Sequence, residues 1–261
     1  MPLIAIDGRR VHYTVRPGGP RAVIFLHGGF GSSSDLWTET MAALPSEWSA
    51  YAIDNFLESE EPAEGYNVTA FAKRTAGFAR SLSLDRPVLV GHSMGGVVCQ
   101  LTAINHPEAV GGLVLVCTGA AMTSHQLARD LLVQLREGGG TAESLRAISA
   151  HWFHTAPASF FERYVARATQ APLDAMIAVQ ESLIAADTRE RLKDIKVPAL
   201  VVFGAHDTGR TIDHAQTLVA GIPDGQLAVM HDSGHTPMAE TPAAFNSAFH
   251  TFLNRLAPVP A

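Results

Sequence analysis

Short runs of consecutive apolar residues recur along the chain and divide it into a regular rhythm. Ala22-Val23-Ile24-Phe25-Leu26, Val88-Leu89-Val90, Gly112 to Val116, Ala199 to Phe203 and Gln226 to Met230 have strand length and carry no polar alternation. Such runs suit strands buried on both faces of a parallel sheet. Residues 3–15 alternate weakly around Asp7-Gly8, a hairpin signal that predicts two short antiparallel strands. A further strand is expected at 49–53. Segments of helical length fill the gaps: one entering at Ser34 or Asp35 as a cap and running to about 43, then 67–84, then 94–106 ahead of Pro107, then 211–220 and 242–255. Alternation of this kind predicts an α/β fold, a mostly parallel eight-stranded sheet flanked by helices.

Residues 121–187 break the rhythm. Four helix-like pieces, near 124–137, 142–153, 159–170 and 173–186, are separated by Gly138-Gly139-Gly140, Ala156-Pro157 and Ala171-Pro172. No core-type strand is legible among them. The chain is therefore read as one core, 1–120 and 188–261, with a helical cap, 121–187, inserted over the carboxyl edge of the sheet.

Composition narrows the classes of function. With 261 residues, 47% hydrophobic and 17% charged, the chain can bury a substantial core. A net charge of −6 without any basic cluster excludes a nucleic-acid binder of the usual electrostatic kind. No apolar run approaches a membrane span, and the amino terminus lacks a signal-peptide pattern, so the expectation is a cytoplasmic protein with no membrane partner. Cys99 and Cys117 lie in apolar segments and are expected as buried free thiols. Oligomeric state is not legible.

The chemistry centres on Val88 to Gln100. Within it Gly91-His92-Ser93-Met94-Gly95 fits the G-x-S-x-G nucleophile elbow, with an apolar strand before it and an apolar helix after it. A serine hydroxyl needs a base, usually a histidine oriented by a carboxylate. The loops after the strands at 199–203 and 226–230 supply both: Asp207 in Gly204-Ala205-His206-Asp207 and His235 in Ser233-Gly234-His235. His206, His231 and Asp232 are the neighbouring competitors. An oxyanion hole calls for the backbone N–H of Met94 and a second donor from His27-Gly28-Gly29-Phe30, Gly29 first and Phe30 next. Gly29-Phe30-Gly31 does not complete a dinucleotide or P-loop pattern.

Twelve histidines raise the question of a metal. His151 and His154 stand at i and i+3 of a predicted cap helix, but no H-E-x-x-H or cysteine pair supports a zinc site, and no metal or other cofactor is expected. With Trp152, Phe153, Phe160 and Phe161 they make the aromatic part of the cap, read either as cap core or as pocket lining. His27 and His92 complete the candidate pocket.

The residues His27-Gly28-Gly29, Gly91-His92-Ser93-Met94-Gly95-Gly96, Gly204-Ala205-His206-Asp207 and Ser233-Gly234-His235 together resemble the α/β-hydrolase superfamily, in its branch with a helical cap after the sixth strand. The chain looks most similar to small esterases and lactonases of the kind that includes 3-oxoadipate enol-lactone hydrolases. The resemblance implies a serine hydrolase acting on a small carboxylic ester or lactone. Carbon–carbon bond hydrolases, cofactor-free dioxygenases and hydroxynitrile lyases share the fold and the residues, and a ligand-sensing module without turnover is the alternative outside enzymology. One departure is the loop after Asp54, which runs Asn55-Phe56-Leu57-Glu58-Ser59-Glu60-Glu61-Pro62 where many relatives have a glycine-rich turn ending in serine.

Overall fold

The computed structural model describes residues 2–29, 34–122 and 125–256. Two short strands, β1 (Leu3–Ile6) and β2 (Arg9–Arg16), form the expected hairpin, with Asp7 and Gly8 both at positive φ in the two-residue turn. Then come β3 (Arg21–Leu26), α1 (Thr38–Ala42), β4 (Trp48–Ile53), α2 (Val68–Ser81), β5 (Val88–His92), α3 (Met94–Asn105) and β6 (Gly112–Val116). Four helices follow in a row: α4 (Gln126–Gly138), α5 (Ala142–Ala150), α6 (Ala158–Ala168) and α7 (Leu173–Ala185). The chain closes with β7 (Ala199–Gly204), α8 (Ile212–Gly221), β8 (Gly225–Met230), α9 (Pro237–Glu240) and α10 (Pro242–Arg255). The described residues form one eight-stranded sheet in the order β1-β2-β4-β3-β5-β6-β7-β8, parallel from β4 to β8.

The apolar runs are double-sided because the sheet is covered twice. Along β3, β5 and β6, Ile24, Leu26, Leu89, Leu113 and Leu115 face a cluster that includes Phe71, Val97 and Leu218. The intervening Val23, Phe25, Val88, Val90, Val114 and Val116 face Trp37, Phe245, Phe249 and Phe252. A period of two therefore distributes a continuous apolar run between two cores.

Local chemistry sets several helix ends. The Asn67 side chain accepts from the N–H of Ala70 at the start of α2, Thr141 does the same for α5, and Gly139 ends α4 in the left-handed region. Two expectations differ. Ser34 and Asp35 do not cap α1; Ser34–Trp37 forms a 3-10 turn and Trp37 precedes the helix without a side-chain cap. α5 stops at Ala150, so His151 and His154 do not share a helix face. The helix is closed by turn hydrogen bonds from the N–H groups of His151 and Trp152, and the chain then bends away.

The segment between β6 and β7 leaves and re-enters the core at one place. Ala121 pairs with Asp187 in an isolated antiparallel bridge, and the N–H of Thr188 donates to the Ala120 carbonyl at 2.7 Å. Arg136 pairs with Glu181 between α4 and α7, and Arg146 with Glu162 between α5 and α6. Arg167 on α6 reaches Asp35 at 2.7 Å and lies 3.9 Å from Glu58. The acidic loop after Asp54 is fastened back to β2: Glu60 accepts from the N–H and Nε of Arg10, and Ser59 accepts from the N–H of His12. None of the helices formed by the described residues is long and apolar enough to cross a membrane.

Phe249 is fully buried, its ring 6.1 Å from that of Phe25 and 6.0 Å from that of Phe245. Phe249→Ala is expected to lower the unfolding free energy by about 3–5 kcal/mol, read as a drop in urea midpoint at unchanged m-value.

Candidate active site

Five neighbouring parallel strands deliver their carboxyl ends to one edge of the sheet. His27 to Gly29 follow β3, Ser93 follows β5, Cys117 and Thr118 follow β6, Asp207 follows β7 and His235 follows β8. This is the edge at which open α/β sheets take ligands.

Ser93 sits between β5 and α3 at φ 51° and ψ −112°, a conformation that L-residues rarely adopt. Hydrogen bonds on both sides of the residue hold it there. Its N–H donates to the Val116 carbonyl at 2.9 Å, and its carbonyl accepts from the N–H of Gly96 at 3.0 Å and the Thr118 hydroxyl at 2.7 Å. The flanking glycines are sterically required: a Cβ on Gly91 would lie 2.2 Å from the Gly95 carbonyl oxygen, and one on Gly95 would lie 2.3 Å from that of Leu26. As the first residue of α3, Met94 carries one of the N–H groups that a helix leaves without an internal acceptor.

Asp207 and His235 meet across the next two strand ends. Asp207 Oδ2 accepts from His235 Nδ1 at 2.8 Å. Its other oxygen accepts from the N–H groups of Gly209 at 2.7 Å and Arg210 at 3.0 Å. Burial alone would raise this carboxyl, but the imidazole of His235, the Arg210 guanidinium and the Arg210 N–H together hold it below the usual carboxylate range. The two loops are joined by backbone bonds from Ala205 N–H to Met230 and from His206 N–H to Ser233.

Ser93, His92, Gly29, Trp152 and His235 line one cavity, walled on the helical side by Met122, Leu127, Leu131, Tyr164 and Leu183. Its mostly apolar lining with a few convergent polar groups suits a small-molecule ligand. The other candidates lie elsewhere. His27 is buried, its Nε2 accepting from the N–H of Asn55 and its ring 5.4 Å from that of Phe56. Phe153 packs against Phe160, Phe161 and Tyr164, and so belongs to the packing of the helical segment. His154 is exposed and stacks on His206 at 3.8 Å, and His151 lies in a separate surface depression with Gln134 and Glu137. His231 and Asp232 are exposed. Gly29 borders the cavity and has open space where a Cβ would be; the tightly packed glycine of that loop is Gly28, whose Cβ would meet His92 Nδ1 at 2.8 Å. Phe30 lies outside the described residues.

Among the described residues, Cys117, Asp207 and His235 are the group whose possible ligand atoms come within 4.8 Å of one another. Their chemistry is poorly matched to a cation. His235 Nδ1 is engaged with Asp207, and burial pushes the Cys117 thiol well above its ordinary pKa, so the sulfur keeps its proton.

Three residues that sequence reasoning missed complete the site. Thr118 holds the Ser93 carbonyl. Glu240 accepts four backbone N–H bonds: Oε1 from Gly234 and Thr236, and Oε2 from His154 and Thr155. It thereby ties both sides of His235 to the helical segment. Arg210, buried beside Asp207, lines the cavity.

The geometry has counterparts among known proteins. Residues 23–248 match the alpha/beta hydrolase family, and the chain belongs to that family. A protein of Caulobacter segnis carrying the name carbamate hydrolase RutD is 28% identical over 251 residues, covering 91% of this chain and 93% of its own. The 3-oxoadipate enol-lactonase 2 of Acinetobacter baylyi is 24% identical over 252 residues, covering 94% and 93%. Among solved structures, an esterase from Exiguobacterium antarcticum superposes with a TM-score of 0.89 at 20% identity, over 97% of this chain and 98% of its own. The enol-lactonase of Burkholderia xenovorans LB400 superposes at 0.84 and 24%, over 97% and 100%. These superpositions show the fold.

Two outcomes follow from the geometry. Burial first, and then the neighbouring His235 imidazole, push His92 down to about 3, while its Nε2–H donates to the His235 carbonyl at 2.8 Å. An imidazole that is neutral when folded and protonated when unfolded gives stability that is full above pH 6.5 and declines as pH falls toward 3. His92→Gln is expected to reduce the slope of unfolding free energy against pH by about 1.4 kcal/mol per pH unit between roughly pH 6 and 4, measured by urea titration. Glu240→Ala, which leaves four N–H groups without their charged acceptor, is expected to cost about 2–4 kcal/mol in the same assay.

Proposed function

We propose that this chain is a serine hydrolase that cleaves a small carboxylic ester or lactone. The observation that carries the reading is the 2.8 Å bond between Asp207 and His235, made beside the cavity that Ser93 and His235 both line. In this mechanism Ser93 Oγ attacks the acyl carbon while His235 Nε2 takes its proton, and the carbonyl π electrons move onto oxygen. The backbone N–H groups of Met94 and Gly29 receive that oxyanion, a contribution of roughly 3–4 kcal/mol for each donor that tightens in the transition state. His235 returns the proton to the leaving alkoxide, and the C–O bond breaks to leave an acyl-Ser93. Water then gives its proton to His235 and its hydroxide to the acyl carbon, and the same steps in reverse release the acid and restore Ser93. Asp207 remains ionised and holds the imidazole by Nδ1.

The segment 121–187 acts as a lid in this reading, because α4 and α7 supply much of the cavity wall while Trp152 lies 5.1 Å from His235, ring to ring. The relatives named as an enol-lactonase and a carbamate hydrolase support acyl transfer to water. The free, buried Cys99 and Cys117 fit a reducing compartment such as the cytoplasm.

A fluorophosphonate probe is expected to label Ser93, located by peptide mass spectrometry. Ser93→Ala is expected to lower kcat/KM on short aryl esters by about 10⁴-fold or more, and Asp207→Asn by about 10²–10⁴-fold. Label at another residue, or full turnover by Ser93→Ala, overturns the reading. A panel of esters, lactones, carbamates and vinylogous 1,5-diketones separates C–O from C–C cleavage.

A further inference from the structure

Arg210 is a buried cation on the wall of the cavity, and its side chain enters the mechanistic steps above only through its field on Asp207. It is 5% exposed. Among the described residues its guanidinium makes one hydrogen bond, from Nη1 to the carbonyl of its neighbour Gly209, and its Nε has none. The nearby carboxylate is already committed: Asp207 spends one oxygen on His235 and the other on the backbone N–H groups of Gly209 and Arg210. A guanidinium presents five donors in a planar fork, and burying one without a facing anion is costly.

The rest of the wall offers no substitute. None of the described residues lining the cavity is a carboxylate, and Arg210 is the one Lys or Arg among them. His125, also on the wall, is pushed down to about 4 by burial first and then by the charge of Arg210, so it adds no charge at neutral pH. The Gln180 amide, which donates to the Ala128 carbonyl, and Tyr164 add only neutral polar groups to the wall. The cavity thus combines a largely apolar wall with one guanidinium that feels the charge of Asp207 but makes no hydrogen bond to it, and an anion is the ligand group that its unspent donors favour.

We propose that Arg210 is a specificity residue whose guanidinium takes a carboxylate carried by the substrate, so that the site selects an ester or lactone bearing a free acid group. The proposal rests on the hydrolase reading above and deepens it. The charged fork holds the far end of the substrate, while the scissile carbonyl lies at Ser93. The guanidinium also supports the charge of Asp207, an effect common to every substrate, so selectivity between charged and neutral esters isolates the proposed role.

The experiment compares matched pairs of synthetic esters. On the acyl side, 4-nitrophenyl hemisuccinate, hemiglutarate and hemiadipate are set against neutral 4-nitrophenyl esters of equal chain length. On the alcohol side, 4-acetoxybenzoate is set against 4-acetoxybenzamide. The wild-type protein is expected to favour one charged series at least tenfold in kcat/KM, mainly through KM, and the favoured arm identifies which half of the substrate carries the acid. Arg210→Met is expected to lower kcat/KM at least tenfold more on the charged ester than on its neutral partner, because any loss of electrostatic support for Asp207 is shared by both substrates. Arg210→Lys is expected to retain part of the preference. Equal or better turnover of the neutral esters by wild type overturns the proposal without using any variant. Equal loss on both members of a pair in Arg210→Met also overturns it, and makes the side chain a support for Asp207. A second readout needs no turnover: glutarate monomethyl ester is expected to slow fluorophosphonate labelling of Ser93 at tenfold lower concentration than the dimethyl ester, in wild type and not in Arg210→Met. Equal protection by both overturns the carboxylate proposal alone, whereas failure to label Ser93 overturns the hydrolase reading and the proposal with it.

Discussion

The candidate site depends on one strained residue held from both sides. Ser93 occupies a backbone conformation that costs of order 1–3 kcal/mol, and three hydrogen bonds to Val116, Gly96 and Thr118 hold it there. That arrangement requires β6 to lie directly beside β5 and α3 to start at once, with Gly95 against the Leu26 carbonyl. Strand order, helix entry and glycine placement therefore answer to a single turn. The strain has a use, since it holds a hydroxyl clear of the sheet at the end where the other strands deliver their loops.

Around that turn the site is built by adjacency. β7 and β8 bring Asp207 and His235 together because their following loops are joined by backbone bonds, and Asp207 keeps its charge against burial because the His235 imidazole and the guanidinium and N–H of Arg210 face it. His92, one residue from the strained serine, braces His235 by donating to its carbonyl. The cost is a histidine kept neutral deep in the protein. Glu240 adds a brace from the opposite side, so the base loop is gripped by both the core and the helical segment.

Much of this was legible in the sequence where periodicity or local spacing carries the information. The double-sided strands, the Asp7-Gly8 turn, the elbow and the order of Asp207 and His235 all express short-range rules. The four helices from Gln126 to Ala185 were legible from their proline and glycine breaks. The residues that were missed act across long sequence distances: Thr118 serves Ser93, Glu240 serves a segment 85 and 86 residues away, and Arg210 matters through a cavity that exists only once α4 and α7 are packed. The His151–His154 pairing failed for the opposite reason. Spacing alone implied a shared helix face, while turn bonds ended the helix at Ala150. The acidic loop after Asp54 reads as an oddity in sequence and proves to be a fastening to Arg10 and His12.

The bridge between Ala121 and Asp187 means that some sixty residues enter and leave the core through a single doorway. The helices beyond it are not detached, since Leu131, Ile148 and Leu183 share one apolar cluster with Leu113 and Leu115 of β6. The loop that carries His235 is tied to the same segment, through Glu240 to the N–H groups of His154 and Thr155 and through the Thr236 hydroxyl to the Trp152 carbonyl. A shift of the helices is therefore felt at His235 by way of these hydrogen bonds, although the two lie on opposite sides of the Ala121–Asp187 bridge in the chain.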